Sequence, residues 1–279
     1  MKKQFVFILI IACFLLLFSC NKQKTEWKGT IEEKDGVILV KNPDEPIYEE
    51  NVFVLEEELS IGESVGREEY MFSGVQSVTI DDEGRIYVLD HIEYNVKIYD
   101  KNGKYINKFG KQGQGPGEFF LPRGVFISNQ DEIIVQNYIS FDFFAFDGQF
   151  KRSISSAEYR LTTSDLDSDG NIISTEIVRD DENPRYELRK FDPEMNYLHS
   201  FGSSPLPNSS RDGFNPLFPI FRWDLINGNQ IVFGYMEDYE LKIFDSEGKL
   251  IRKILKDYDR IKVTQKDIDE RLEGEELPP

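Results

Sequence analysis

Apolar residues in this chain alternate with polar ones in short runs, and turn residues separate the runs. The clearest series covers residues 76–80, 85–90, 95–100 and 104–110. Asp81-Asp82-Glu83-Gly84 and Lys101-Asn102-Gly103 interrupt it. Period-two alternation rich in β-branched and aromatic residues, broken by Asp, Asn and Gly, predicts four antiparallel strands joined by hairpins. The same order recurs at 124–127, 132–135, 141–146 and 150–154. A third copy runs through 163–166, 171–178, 186–191 and 197–201. A fourth runs through 221–225, 230–233, 240–244 and 250–254.

An aromatic-Asp pair ends the third run of each copy: Tyr99-Asp100, Phe146-Asp147, Phe191-Asp192 and Phe244-Asp245. Their spacings are 47, 45 and 53 residues. Ile86, Ile133, Ile172 and Ile231 take equivalent places on the second run. Four-stranded units of about 40–50 residues in series are the signature of a β-propeller. The expected fold class is all-β, a propeller of four-stranded antiparallel blades. A repeat of this kind is a scaffold, and function must sit in the loops grafted onto it.

The connection from Phe109-Gly110 through Gly113, Gly115, Gly117 and Phe119 to Pro122 joins the first unit to the second. With Asp81, Gly84, Ile86, Val88, Asp90, Asn95 and Lys97, it resembles the NHL-type propeller repeat. The first unit matches nearly throughout. The other three match in part, with no counterpart of Asn95. The resemblance covers roughly residues 52–255. It is strongest to the six-bladed propeller lipoproteins of Bacteroidetes, and it implies about four blades present of six.

Two further strand-like runs, 36–40 and 52–61, precede the first unit. The second leads into 62–70, which parallels the glycine linker at 110–119. It is therefore expected to be the outermost strand of a blade whose inner strands lie elsewhere. After Ile254 the chain is polar and partly helix-like at 264–272. The implied organisation is a leader at 1–19, a tether at 20–35, propeller blades at 36–255, and a polar segment at 256–279. That segment reads as an insertion or a truncation point.

The leader itself has chemistry. Lys2-Lys3 precedes an apolar run at 5–18, which is too short to span a bilayer and suits a signal peptide. Leu17-Phe18-Ser19-Cys20 resembles a bacterial lipobox, so Cys20 is the expected lipidation site. The resulting address is the cell envelope, lipid-anchored at the periplasmic face or outer surface of the outer membrane. The second cysteine, Cys13, lies in the leader. The mature domain then has neither a disulfide nor a thiolate metal site and must hold by core burial. The formal net charge is −18. Such acidity argues against nucleic acid, whose affinity comes from clustered cations on phosphates.

Chemical motifs are sparse. Asp165, Asp167, Asp169 and Gly170, with Glu176 beyond, match a calcium loop as text. The same slot in the first unit is a plain turn, and turn residues are favoured there in any case. No metal or cofactor is favoured; calcium on Asp165, Asp167 and Asp169 is the alternative. Two histidines, His91 and His199, are too few for a zinc lyase. Most of the 22 Phe and 13 Tyr belong to the core. Loop-face residues are the candidate ligand contacts: Tyr94, Tyr138, Tyr235, Phe218, Phe221, Trp223, and Arg123 and Arg222 before inner strands. Aromatic and Arg side chains are frequent recognition anchors. The expected function is a lipid-anchored binding module for a peptide, glycan or partner protein. The alternative is a divalent-cation-dependent hydrolase or lyase working at the central channel.

Overall fold

The computed structural model describes residues 27–47, 53–206, 220–236, 238–259, 262 and 264–272. The first blade is an antiparallel meander of β3 (Val75–Ile80), β4 (Ile86–Asp90), β5 (Asn95–Tyr99) and β6 (Tyr105–Phe109). The second contains β7 (Gly124–Ile127), β8 (Ile133–Gln136), β9 (Ser140–Phe144) and β10 (Phe150–Ser155). The third contains β11 (Leu161–Leu166), β12 (Ile172–Val178), β13 (Arg185–Phe191) and β14 (Tyr197–Pro205). The fourth contains β15 (Phe221–Ile226), β16 (Gln230–Tyr235), β17 (Glu240–Phe244) and β18 (Leu250–Lys256).

The register corrects the repeat at one place. Ile86 pairs with Tyr99, Ile172 with Phe191 and Ile231 with Phe244, as the spacing implies. Ile133, however, pairs with Phe144, not Phe146. The residue equivalent to Asp100, Asp192 and Asp245 is thus Ala145. Asp100 closes its turn by accepting from the amides of Asn102 and Lys104, each at 2.9 Å. Ala145 cannot do this, and the turn Ala145-Phe146-Asp147-Gly148 keeps its backbone bonds and Gly148 at φ 85°. Asp147 sits inside the turn and accepts from Gln149. Phe146 crosses to the first blade, where the Arg85 guanidinium lies 4.3 Å from its ring centre.

Each interface between successive blades is an apolar cluster. Tyr87, Leu89, Ile98, Phe119 and Phe144 fill the first. Ile134, Phe141, Ile172 and Phe191 fill the second, and Ile173, Leu188, Phe233 and Phe244 the third. Each fully buried large side chain contributes about 1.5–3 kcal/mol. Hairpin tips interlock as well: Asn129 donates to Ser168 O, and Ser168 N donates to Gly228 O.

Two expectations for the N-terminal region need correction. Residues 20–35 are not a uniform tether, because β1 (Thr30–Lys34) forms a hairpin with β2 (Val37–Asn42). That hairpin extends the fourth blade, β2 running parallel to β18, to give a six-stranded sheet. It covers an outer edge that would otherwise present unpaired backbone groups. Residues 53–61 form no strand. Leu59 and Ile61 instead lie beside Gly103 in the first blade, and Phe53, Val54 and Leu55 are exposed. The face of the first blade turned away from the second leaves Val75, Val78 and Ile80 exposed.

The C-terminal segment contains α1 (Gln265–Leu272). Thr264 opens it: the Asp267 amide donates to the Thr264 hydroxyl, and the Asp267 carboxylate accepts from Thr264 N at 2.7 Å. This is the reciprocal arrangement of a capping box.

Candidate functional site

The innermost strands β3, β7 and β11 surround a cavity of about 590 Å³. Its polar lining is Gln76 and Ser77 from β3, Gln136 from β8, and Thr162, Thr163 and Ser164 from β11, with His91, Tyr94 and Arg123 at the loops. The period-two pattern of inner strands sends some side chains into neighbouring blades and leaves others facing the cavity.

The loop residues are held by backbone chemistry. The buried Asp90 carboxylate accepts from the amides of Ser73 (2.7 Å), Gly74, Ile92 and Glu93 (3.1 Å each). Burial opposes the charge, but these four donors prevail and hold its pKa below the usual carboxylate range. The loop they pin carries His91 and Tyr94. His91 Nδ1 is 2.9 Å from Gly74 O. A carbonyl only accepts, so Nδ1 bears the proton in this contact. Tyr94 is in the left-handed region at φ 55°, and its ring packs against the first interblade cluster.

Arg123 is fixed from three sides. Its backbone amide donates to Gln136 O at 2.8 Å, and Nη1 donates to Leu161 O. Its guanidinium lies 5.1 Å from the ring centre of Tyr138, a distance suited to cation–π attraction. Gln136 Nε2 donates to Thr162 O at 3.3 Å, and Val125 N donates to Ser77 Oγ at 3.2 Å. These bonds tie the three blades together around the cavity. What lines it are hydroxyls, amides, a phenol, an imidazole and Arg123. Such a surface binds a ligand by hydrogen bonds and a ring contact.

Of the residues singled out from sequence, Tyr94 and Arg123 thus share the cavity lining, and Tyr138 stands against Arg123. Trp223 is not with them: its indole donates to Thr175 Oγ1 at 2.9 Å and packs in the third interblade cluster. Phe221 and Tyr235 pack against the same cluster. Arg222 is exposed on β15, away from the cavity lining. Phe218 and Cys20 lie outside the described residues. Sequence reasoning did not assign Ser77, Gln136 or Thr162–Ser164 to a site. The small polar side chains of Ser77 and Thr162–Ser164 on innermost strands were the signal available; Gln136 ends the second strand of its blade.

The calcium reading meets a different geometry. Asp167 is buried and caps its own hairpin turn, accepting from the amides of Asp169 (3.0 Å) and Asn171 (2.8 Å). Its other oxygen is 2.8 Å from Lys190 Nζ. Asp169 accepts from Asn229 Nδ2 at 3.0 Å. Asp165, on β11, is half-buried, and the charge of Asp224 on β15 acts on it. Burial first and the neighbouring charge second push its pKa up. Glu176 is 2.6 Å from Arg189 Nη1. Burial nonetheless raises its pKa, with Glu187 adding to the rise. Among the described residues, no three His, Cys, Asp or Glu side chains converge as a metal-binding group. The three aspartates of the motif serve separate partners.

A family model described as a 6-bladed beta-propeller, DUF5128, matches residues 65–200. The chain has a β-propeller fold. The propeller is similar in structure to an exported protein of Bacteroides fragilis NCTC 9343, at 14% identity and a TM-score of 0.54, over 72% of this chain and 56% of that one. A virginiamycin B lyase of Staphylococcus aureus, determined with quinupristin, aligns at 14% identity and a TM-score of 0.41, over 65% and 55% of the two chains. The extracellular domain of a one-component system from Bacteroides thetaiotaomicron aligns at 11% identity and 0.40, over 64% and 24%. The propeller chain thus spans little more than half the length of the first two structures. No curated protein matches it.

Proposed function

We propose that this propeller is a lipid-anchored, extracytoplasmic binding module that seats a peptide, glycan or partner-protein segment in the inner-strand cavity. The observation that carries the reading is the cavity of about 590 Å³ where Tyr94 and Arg123 meet a wall of Ser, Thr and Gln side chains. That volume is in the range of small-ligand sites. Neutral hydroxyls and amides match the hydroxyls of a glycan or the backbone amides of a peptide. The acidic surface disfavours polyanions.

The address rests on Lys2-Lys3, the apolar run at 5–18 and Cys20. Among the described residues, no helix is long and apolar enough to cross a membrane. Metabolic labelling with an alkynyl fatty acid tests the anchor: the chain takes up label, and Cys20→Ser does not. Titration of the chain with short oligosaccharides and peptides tests the site. Binding that weakens in Tyr94→Ala and Arg123→Ala supports it.

The enzyme reading keeps one feature, the placement of Asp165 and Asp224 on the innermost strands of the third and fourth blades, where the Asp224 charge helps to raise the Asp165 pKa. A divalent cation between them would relieve their repulsion. A calcium-dependent rise in melting temperature that Asp165→Asn abolishes would favour that reading.

A further inference from the structure

The four blades place a charged residue at one shared register, two positions before the aromatic that closes the third strand. These residues are Lys97, Asp142, Arg189 and Lys242, before Tyr99, Phe144, Phe191 and Phe244. Three are cations, and the second blade alone substitutes an anion. We infer that the cavity beside Asp142 is a binding site for a primary alkylammonium group, separate from the inner-strand cavity.

The first blade shows what this register does with an ammonium. Lys97 is 3% exposed. Its Nζ donates to the carbonyls of Glu68 and Met71 in the preceding linker and lies 5.0 Å from the Phe72 ring centre. Linker carbonyls and an aromatic ring thus receive a buried ammonium that the blade itself supplies.

In the second blade the ammonium is missing and space is left. Asp142 is 5% exposed. It accepts from Asn137 Nδ2 at 2.9 Å and Ser153 Oγ at 2.5 Å. Among the described residues no Lys or Arg pairs with it; the nearby Lys151 and Arg152 both go to Glu132. A buried carboxylate without a counter-charge is costly, and such charges are ordinarily paired. A cavity of about 390 Å³ lies between Asp142 and the linker at Gly113–Glu118. Among the described residues, the charged ones lining it are Asp142 and Glu118. Glu118 is held by Gly115 N at 2.9 Å and Lys111 at 3.1 Å. Phe120, Ile139 and Phe150 add apolar wall.

The match to an alkylammonium follows from these parts. Its three N–H donors suit a carboxylate with free lone pairs and neighbouring hydroxyls. Its alkyl stem suits the aromatic and aliphatic wall. An aromatic ring also attracts the cationic head. Either a lysine side chain of a partner or a free alkylamine supplies this chemistry.

Calorimetric titration of the full chain in detergent, with n-butylammonium chloride and with Nα-acetyl-lysine N-methylamide, tests the assignment. Saturable binding is expected. Asp142→Asn should weaken it about tenfold or more, the loss expected for a charge-assisted bond. Asp142→Lys, which restores the residue type of the first blade, should abolish it. Binding of butylammonium alone identifies a free amine, and binding of both probes identifies a lysine side chain; either supports the site. Circular dichroism of each variant separates lost binding from lost folding. No saturable binding, equal binding by a folded Asp142→Asn, or equal competition by potassium chloride overturns the assignment.

Discussion

Lys190 Nζ, on β13, lies 2.8 Å from Asp167 Oδ2 of the loop whose sequence reads as a calcium site, with both side chains almost fully buried. The ammonium, which also donates to Ser246 O at 3.0 Å, joins the third blade to the fourth. Removing one partner of a buried pair leaves the other uncompensated, at a cost of about 3–5 kcal/mol. Lys190→Met should therefore lower the urea midpoint by that equivalent. Millimolar calcium should not restore it, since Asp169 serves Asn229 and, among the described residues, no three carboxylates converge as a metal-binding group.

Asp165 gives a pH signature of defined sign. Its folded pKa is raised, so its neutral form suits the fold better than its charged form. That contribution is fully present below the unfolded value of about 3.9 and is lost as pH rises through the folded value. Asp165→Asn keeps the neutral form at every pH. It should melt a few degrees higher than the parent at pH about 7 and equally near pH 3. An equal gap at both values would mean that charge is not the cause.

The repeat register makes its own prediction. Phe144 is buried among Phe109, Phe119 and Phe150, whereas Phe146 is half-buried against the first blade. Phe144→Ala should cost about 3–5 kcal/mol, as for other buried aromatics. Phe146→Ala should cost about 1–2 kcal/mol, by the area it covers. Denaturant melts of the two variants decide between the pairings, because the spacing of aromatic-Asp pairs alone assigns the larger loss to Phe146.

These cases show what was legible before the structure. Alternation, turn residues and a near-constant spacing suffice for the blades, because each is a local meander whose strands pair with sequence neighbours. The second aromatic-Asp pair misled because Phe146-Asp147-Gly148 has the composition of the other turns while Ala145 holds the turn position. The attachment of β2 to β18 was not legible. It joins Ile38 to Arg252, and no local pattern encodes a parallel pairing over that separation. At the site, Arg123 and Tyr94 stood out by their loop positions, and both line the cavity. Trp223 had the same composition signal but finds Thr175 in the neighbouring blade. Asp142 appeared as one more polar strand residue until the register set it beside Lys97.

The central claim is that ligand binds at the inner-strand cavity, and one titration tests it most directly. The full chain in detergent is titrated with a panel of neutral oligosaccharides and short peptides, in parallel with Tyr94→Ala, Arg123→Ala and the exposed control Arg222→Ala. The account predicts a bound member of the panel whose affinity falls about tenfold or more in the first two variants, as for recognition anchors, and stays unchanged in the third. A bound member whose affinity is the same in all four proteins would contradict it.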